Sequence, residues 1–577
     1  MMDKRKIGVF VCGCGGNISD YVDVDKVVES VALEPDVAVA STAMFTCSDA
    51  TQQDIINVIK EKNLDGIVVA SCSPKLHLNT FRAMAERAGL NRYVYNQVNI
   101  REQCSWTHTH DKVSATDKAV SLVRAGIAKT RISRPLNNIQ VKTQPRVLIV
   151  GGGLAGMRAA ISLSVLGLEV HLVEQHDRLG GRVAGWGPLF PNDRTGDDLI
   201  GSLVAQVEAH ERIHLHLSAQ VVEKRGSVGD FEVRIDGERM EPLDLHVGAI
   251  MVATGYSLYQ PDDGELGFGL PGVVTLERFR ELAAPAEAMS GPIKYGDRVV
   301  KDVVYIYCVG SRQGAEGKHS YCSRFCCSAA VHTSLLVSKR EDAPRQFHLY
   351  RDLRTYGKQE LMADEALRVG SMFLKFPDEE PPQVSMEEGQ LTVTLTDQLS
   401  DGDEITIHPD LVVLVTGMEA RQNAALVNVL KLPVGVDGFF NEIHPKLRPV
   451  ETVIDGVLIA GTAQGPKNIP ESVSSAMSAA AKAGALLLSG RLDLEPFVAV
   501  VNEADCTWCG ACAEVCPYEA IERVERGGKV VAKVNSTLCK GCGACVPPCA
   551  ERAIAVEGCT HEQIEGMIDA LAKEVNL

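Results

Sequence analysis

The stretch RVLIVGGGLAGMRAAISLSVLG (146–167), followed by LEVHLVEQHDRLGGR (168–182), decides the fold. RVLIV reads as a short buried strand. GGGLAG then supplies Gly151, Gly153 and Gly156 in G-x-G-x-x-G spacing, and MRAAISLSVLG reads as a helix. The next strand, EVHLVE, ends in Glu174, 23 residues after Gly151. Such glycines let a pyrophosphate approach the helix N-terminus, and the acid accepts the adenosine ribose hydroxyls. A glycine loop alone occurs in other strand–helix turns; strand, loop, helix and acid together predict a dinucleotide-binding unit.

Three further features choose FAD over NAD. Gly180, Gly181 and Arg182, in LGGR (179–182), follow the acidic strand as in flavoproteins with two dinucleotide folds. MVATG (251–255, with Thr254 and Gly255) and VLVTG (413–417) resemble the chain crossings of those proteins. GVLIAGTAQGPKNIPESVSSAMSAA (456–480) resembles their closing segment, where Gly461, Lys467, Asn468 and Ile469 bring a helix N-terminus under the flavin ring. The helix dipole and free N–H groups favour negative charge there. The block 146–490 therefore resembles the thioredoxin-reductase group. It lacks that group's second glycine loop: the matching strand, DVVYIYCVGSR (302–312), carries Gly310 but has Cys308 at the turn. A C-x-x-C redox disulfide is also missing from the block, so nicotinamide binding is disfavoured.

Iron–sulfur chemistry is the expected replacement. Cys308, Cys322, Cys326 and Cys327 run C-x13-C-x3-C-C, which can converge four thiolates from one strand end and one loop–helix turn. The other reading is buried, inert cysteine. Near the carboxyl end, Cys506, Cys509, Cys512 and Cys516 follow C-x2-C-x2-C-x3-C with Pro517 next, and Cys539, Cys542, Cys545 and Cys549 repeat the spacing. In two-cluster ferredoxins the fourth cysteine of each run ligates the other cluster. Cys506, Cys509, Cys512 and Cys549 are thus assigned to one [4Fe–4S] cluster, and Cys539, Cys542, Cys545 and Cys516 to the second. A pair of zinc sites is the alternative.

The amino-terminal 133 residues alternate strand-like runs (IGVFV, VAVASTA, GIVVA, RYVYNQV) with helical stretches near 24–33, 51–62, 76–88 and 114–130. Cys12 and Cys14, Cys47, Cys72 and Cys104 follow successive strands. In a parallel sheet these are carboxyl ends, the edge where ligands bind. Cys12, Cys14, Cys47 and Cys72 are the first choice for a further cluster, with Cys104 in reserve.

CVGSR…YCSRFCC, YRDLRTYGK (350–358), VCGCGGNI near the start and GPKNIPESVSSA together resemble the heterodisulfide reductase HdrA family, over nearly the whole chain. The resemblance implies a flavin-bearing electron hub that splits an electron pair between two acceptors, or runs the reverse. It further implies partners: HdrB/HdrC-like disulfide-reducing proteins, a donating dehydrogenase or hydrogenase module, and ferredoxin, in a dimeric larger complex. Two departures stand out. The inserted ferredoxin unit of the longer archaeal members has no counterpart here. The family's lysine in CC-x4-K is His332, in CCSAAVH, the one candidate catalytic side chain near the flavin. A plain flavin relay of a quinone-linked complex and an NAD(P)H–ferredoxin oxidoreductase are the alternatives.

The expected organisation is α/β throughout: an amino-terminal Rossmann-like domain (1–133), a linker (134–145) and FAD-binding segments (146–298 and 421–495). A degenerate NAD-binding-like domain with a cluster (299–420), a two-cluster ferredoxin domain (496–558) and a terminal helix (559–577) complete it. That helix carries Ile564, Met567, Ile568, Leu571 and Val575 on one side. The 577 residues have 58 basic and 75 acidic side chains, a formal charge of −17. Such a balance disfavours nucleic acid and anionic membrane as partners. Eighteen clustered cysteines without a secretory signal read as metal ligation in the cytoplasm.

Overall fold

The computed structural model describes residues 5–238, 240–283, 291–314 and 319–572. Two compact units share the chain: Met1–Gln140 with Asp493–Leu577, and Val141–Leu492.

In the first unit, strands Val37–Ala43, Ile7–Cys12, Gly66–Ser71 and Tyr95–Asn99 form a parallel sheet in that spatial order. Helices Val24–Val31, Asp49–Lys62, Pro74–Arg87 and Lys112–Ile132 alternate with them, and the side chains of Asp23, Ser48, Ser73 and Asp111 cap their N-termini. The two central strands are buried at every residue, which is why they read as unbroken apolar runs. Two short antiparallel ladders follow in the cysteine module: Ala499–Val501 with Ile554–Val556, and Ile521–Arg526 with Lys529–Val534. Arg82 ties the module down, reaching Glu495 at 2.8 Å while lying over the rings of Tyr93 and Phe497.

The closing helix, His561–Ala572, packs on Lys112–Ile132, but not through its apolar stripe. Ile564, Ile568 and Leu571 are exposed; the buried residue is Gln563, whose amide donates to Ser133 Oγ. Gly566 also faces this helix, an ideal Cβ there standing 3.8 Å from Ile132, an ordinary contact. Val575 lies outside the described residues.

The second unit carries two parallel five-stranded sheets. Ile213–Leu217, Glu169–Glu174, Arg146–Val150, Ala249–Val252 and Val457–Ile459 form one; helices Leu154–Val165, Gly196–Glu208 and Ile469–Leu487 bury its inner face. Val273–Thr275, Leu411–Thr416, Asp302–Val309, Arg345–Tyr350 and Met372–Lys375 form the other. Each has a three-stranded antiparallel companion, centred on Asp230–Gly237 and Gln390–Asp397. Strict alternation buries Phe231, Val233 and Ile235, each contributing about 2 kcal/mol through apolar burial. The two crossings between the sheets pair with each other, Tyr256–Leu258 antiparallel to Met418–Ala420. A short strand, Ile139–Lys142, lies within the stretch expected as linker. No helix among the described residues is long and apolar enough to cross a membrane.

Candidate functional site

The glycine loop opens a cavity of about 440 Å³, within the usual range for cofactor sites. Gly156 is obligatory: a Cβ there would sit 1.9 Å from Gly151 O. Helix Leu154–Val165 starts at Gly153 with no side-chain cap, leaving its first N–H groups free for a phosphate. Glu174 Oε2 accepts the Gly152 N–H at 2.8 Å, and Oε1 accepts the His176 N–H at 3.0 Å. This carboxylate is held at the end of its strand, on the cavity wall. Gly180 bridges to Gly153, Gly181 lies against it, and Arg182 Nε donates to Tyr256 O at 3.3 Å.

Thr254 Oγ1 and Tyr256 OH are buried without partners, and both residues line the cavity beside Gly255. Buried polar atoms are rarely left so, and a polar ligand would satisfy them. Lys467, Asn468 and Ile469 also line the cavity. Asn468 and Glu471 form a reciprocal capping box at the start of Ile469–Leu487, and burial lowers the Lys467 pKa. Gly461 lies behind the wall, its ideal Cβ 2.7 Å from Ala155 Cβ. These features fit FAD.

The central cysteines converge. Cys308 is the penultimate residue of its strand, at φ +63°, Cys322 lies in the following loop, and Cys326 and Cys327 open the helix Cys326–Ser338. Burial, then the Cys327 thiolate, pushes Cys308 up to about 11. A hydrogen bond between Cys326 and Cys327 lowers Cys327 and raises Cys326, and Cys326 also senses Cys308 and Cys322. The loop is bolted to the cavity wall at Met418: Tyr321 OH donates to Met418 O at 2.9 Å, and Met418 N donates to Ser323 Oγ at 2.8 Å. Phe325 stacks parallel to Trp186, another wall residue, at 6.2 Å between centroids. Arg324 pairs with Glu471 of the capping box.

His332 lies further along the same helix. Its Nε2 is 3.3 Å from Asp193 Oδ1 and its ring meets Phe190 edge-on. It is not among the residues lining the cavity. Burial lowers its pKa against the pull of Asp193, favouring the neutral ring.

The carboxyl-terminal cysteines interleave between the two runs. Cys512 senses Cys509, Cys506 and Cys549. Cys516, Cys539, Cys542 and Cys545 line one small hollow. Backbone N–H groups donate to the sulfurs in a repeated pattern: Ala520 to Cys516 at 3.4 Å and Ala553 to Cys549 at 3.3 Å, each four residues on.

At the sheet edge of the first unit, Cys47 senses Cys12 and Cys14, and Cys72 senses Cys14 and Cys12. Cys104 stands apart: burial raises it to about 11, against the opposing pull of Lys118. Among the described residues, no three cysteine sulfurs lie within 4.8 Å of one another.

Two family descriptions match the chain: an NAD(P)-binding Rossmann-like domain over 149–195 and a 4Fe-4S dicluster domain over 499–561. A relative in Methanopyrus kandleri, the first of two iron-sulfur A subunits of CoB–CoM heterodisulfide reductase, is 35% identical over 99% of this chain and 98% of its own length. The chain belongs to the heterodisulfide reductase HdrA family. A further member, the A subunit of the H2:CoB-CoM heterodisulfide,ferredoxin reductase of Methanothermobacter marburgensis, is 33% identical over 91% of this chain and 92% of its own. Among solved structures, the thioredoxin reductase of T. acidophilum is similar at TM-score 0.40 and 18% identity, covering 60% of this chain and 99% of that one. Like its relatives, this chain is an oxidoreductase of the HdrA family, and its matched dicluster domain makes [4Fe–4S] clusters its cofactors.

Sequence reading missed three residues of this HdrA-family chain. Arg101 places Nη1 3.5 Å from Cys14 Sγ. Tyr259 covers Gly310. Glu471 joins the flavin-side helix to Arg324 and to Tyr356, whose hydroxyl donates to it at 2.9 Å. Only Glu471 left a signal, as the N3 acid of N-x-x-E before a helix.

Proposed function

We propose that the chain is the electron-distributing component of a heterodisulfide-reductase-type complex in the cytoplasm. It takes an electron pair from a partner dehydrogenase or hydrogenase module. One electron goes to ferredoxin and one toward the disulfide-reducing partners, by bifurcation or its reverse. The observation that carries this reading is the bolting of the Cys308–Cys327 set to the cavity wall through Met418, where the second glycine loop is degenerate. Ferredoxin as acceptor is supported by the name of the Methanothermobacter relative.

Bound FAD supplies the exchange between electron pairs and single electrons. Glu174 and the uncapped helix at Gly153 hold its adenosine and pyrophosphate. The N-terminus of Ile469–Leu487 and the half-buried Lys467 present positive potential on the same cavity wall. Trp186 and Met418 on the cavity wall connect to the loop of the central cysteines through Phe325, Tyr321 and Ser323. A plain relay without bifurcation is the second reading, favoured by the engagement of His332 with Asp193.

An anaerobic count of flavin, iron and sulfide, followed by NADH, tests the proposal. One FAD with about twelve to sixteen irons and little bleaching supports it. About eight irons would leave a simple flavin–ferredoxin fusion. Rapid bleaching would restore the NAD(P)H oxidoreductase.

A further inference from the structure

Four residues on the first sheet play no part in the flavin reading. Val170 and Leu172 face the helices, so Glu169 and His171 share the opposite face of their strand. The parallel register sets His214 beside His171 and Arg146 beside Glu169. Glu169 Oε1 lies 3.4 Å from His171 Nε2 and 3.2 Å from His214 Nε2, and the three ligand atoms all fall within 4.8 Å of one another.

We propose that Glu169, His171 and His214 bind one divalent metal ion of the zinc class. Zinc bound to nitrogen and oxygen at 2.0–2.1 Å in a tetrahedron separates its ligand atoms by about 3.3 Å. Both carboxylate–imidazole distances already match. An independent observation points to a ligand: His171 is 6% exposed, and its Nε2 makes no hydrogen bond while aimed at this point. A desolvated ring nitrogen that faces Glu169 Oε1 at 3.4 Å without hydrogen-bond geometry is costly. Its other nitrogen, Nδ1, is 3.0 Å from His216 Nε2, the kind of support that fixes the tautomer and plane of a metal-binding histidine. Arg146 Nε donates to Glu169 Oε2 at 2.7 Å, which leaves Oε1 as the single carboxylate ligand. The half-exposed His214 supplies an entry path and leaves the fourth position to water.

Glu169 and Glu174 are the two ends of one strand, about 17 Å apart. The metal is therefore remote from the adenosine end of the flavin cavity. Its role is to clamp the edge strand Ile213–Leu217 to its neighbour.

The test uses anaerobic holoprotein, with FAD and clusters filled so that the cluster thiols are occupied, freed of loose metal on a chelating resin. Zinc chloride is titrated by calorimetry, and the product is examined by zinc-edge X-ray absorption. The expected result is one zinc per chain with a nitrogen/oxygen shell at about 2.0–2.1 Å and no sulfur shell near 2.3 Å. His214→Ala, at an exposed position, weakens binding by tenfold or more, and His216→Ala weakens it about tenfold through the lost support of His171. Unchanged iron, FAD and zinc-free melting temperature verify that each variant is folded. No saturable binding, a sulfur shell, or equal affinity in wild type and both variants overturns the proposal.

Discussion

The ring of Tyr259 lies on the α-carbon of Gly310, so closely that a Cβ built there would stand 2.0 Å from Tyr259 Cγ. Tyr259 is held in place by its hydroxyl, which donates to Glu265 Oε2 at 2.7 Å, and by the edge of His319 at 5.7 Å. Gly310, at φ +67°, sits in the turn where a second dinucleotide would bring its phosphates. Gly310→Ala is expected to destabilise the protein by about 2 kcal/mol or more, from the clash and the positive φ together. An anaerobic melt reads this. Tyr259→Ala, which removes the ring, should still leave flavin bleaching by NADH slow. Fast bleaching in that variant would mean that the ring alone bars the nicotinamide.

Gly156 tests the first loop in the same terms. Its Cα faces Gly151 O, and a methyl group at 1.9 Å cannot be accommodated by any side-chain movement, because both partners are backbone. Gly156→Ala should reduce bound FAD at least tenfold, while the carboxyl-terminal clusters in the other unit keep their iron. Flavin release on acid denaturation, set against iron content, measures both. Full FAD content would show that the loop does not carry the cofactor.

What sequence alone revealed follows the range of the interactions. RVLIV and the two central amino-terminal strands, Ile7–Cys12 and Gly66–Ser71, are legible because burial on both faces writes continuous apolar runs. Gly156 and Glu174 are legible because a phosphate loop fixes their spacing. Tyr259 and Arg101 are invisible, because each acts on a residue remote in sequence and no local pattern marks the contact. The closing helix misled for a related reason: Ile564, Ile568 and Leu571 make an apolar stripe, yet the buried position is Gln563. The Glu169–His171–His214 grouping arises from the parallel register, which sequence does not state.

The interleaved ferredoxin ligands give a sharp prediction. Cys516 follows the first run in sequence but lines the hollow of Cys539, Cys542 and Cys545. Cys549 ends the second run but is felt by Cys512. Cys516→Ser should therefore perturb the same cluster as Cys542→Ser, and Cys549→Ser the same one as Cys509→Ser. Paramagnetic resonance of the reduced variants distinguishes the pairs. Matching of Cys516→Ser with Cys509→Ser would sink the assignment.

Acid sensitivity should come partly from His348. It is fully buried, stacked on Tyr305 and Phe373, and bonded to Tyr307 OH at 2.9 Å and Ser334 Oγ at 3.1 Å. Burial lowers its pKa from 6.5 to about 3. The unfolded chain thus takes up this proton first. Its stabilising contribution is complete above pH 6.5 and is lost as pH falls toward 3, at no more than about 1.4 kcal/mol per pH unit. His348→Gln, which keeps hydrogen-bonding capacity but does not titrate, should flatten that slope in chemical denaturation between pH 6.5 and 5. An equal slope in both proteins would assign the acid sensitivity elsewhere.

Arg101 offers the most direct probe of the amino-terminal cysteines. Its guanidinium lies over Trp106 at 4.7 Å, with Nη1 at Cys14 Sγ and Nη2 2.8 Å from Glu102 Oε1. Cys72 feels it as well. A cation beside a cluster favours the reduced, more negative state, so Arg101→Gln should lower the midpoint potential. With Glu102 offsetting part of the charge, the residual effect is about 1 kcal/mol, or roughly 40 mV for one electron. Glu102→Gln removes the offset and should move the potential the other way. Redox titration followed by paramagnetic resonance reads both. Opposite shifts confined to one signal locate a cluster between Cys12, Cys14, Cys47 and Cys72. Absence of any signal that responds to either variant would leave those four as thiols.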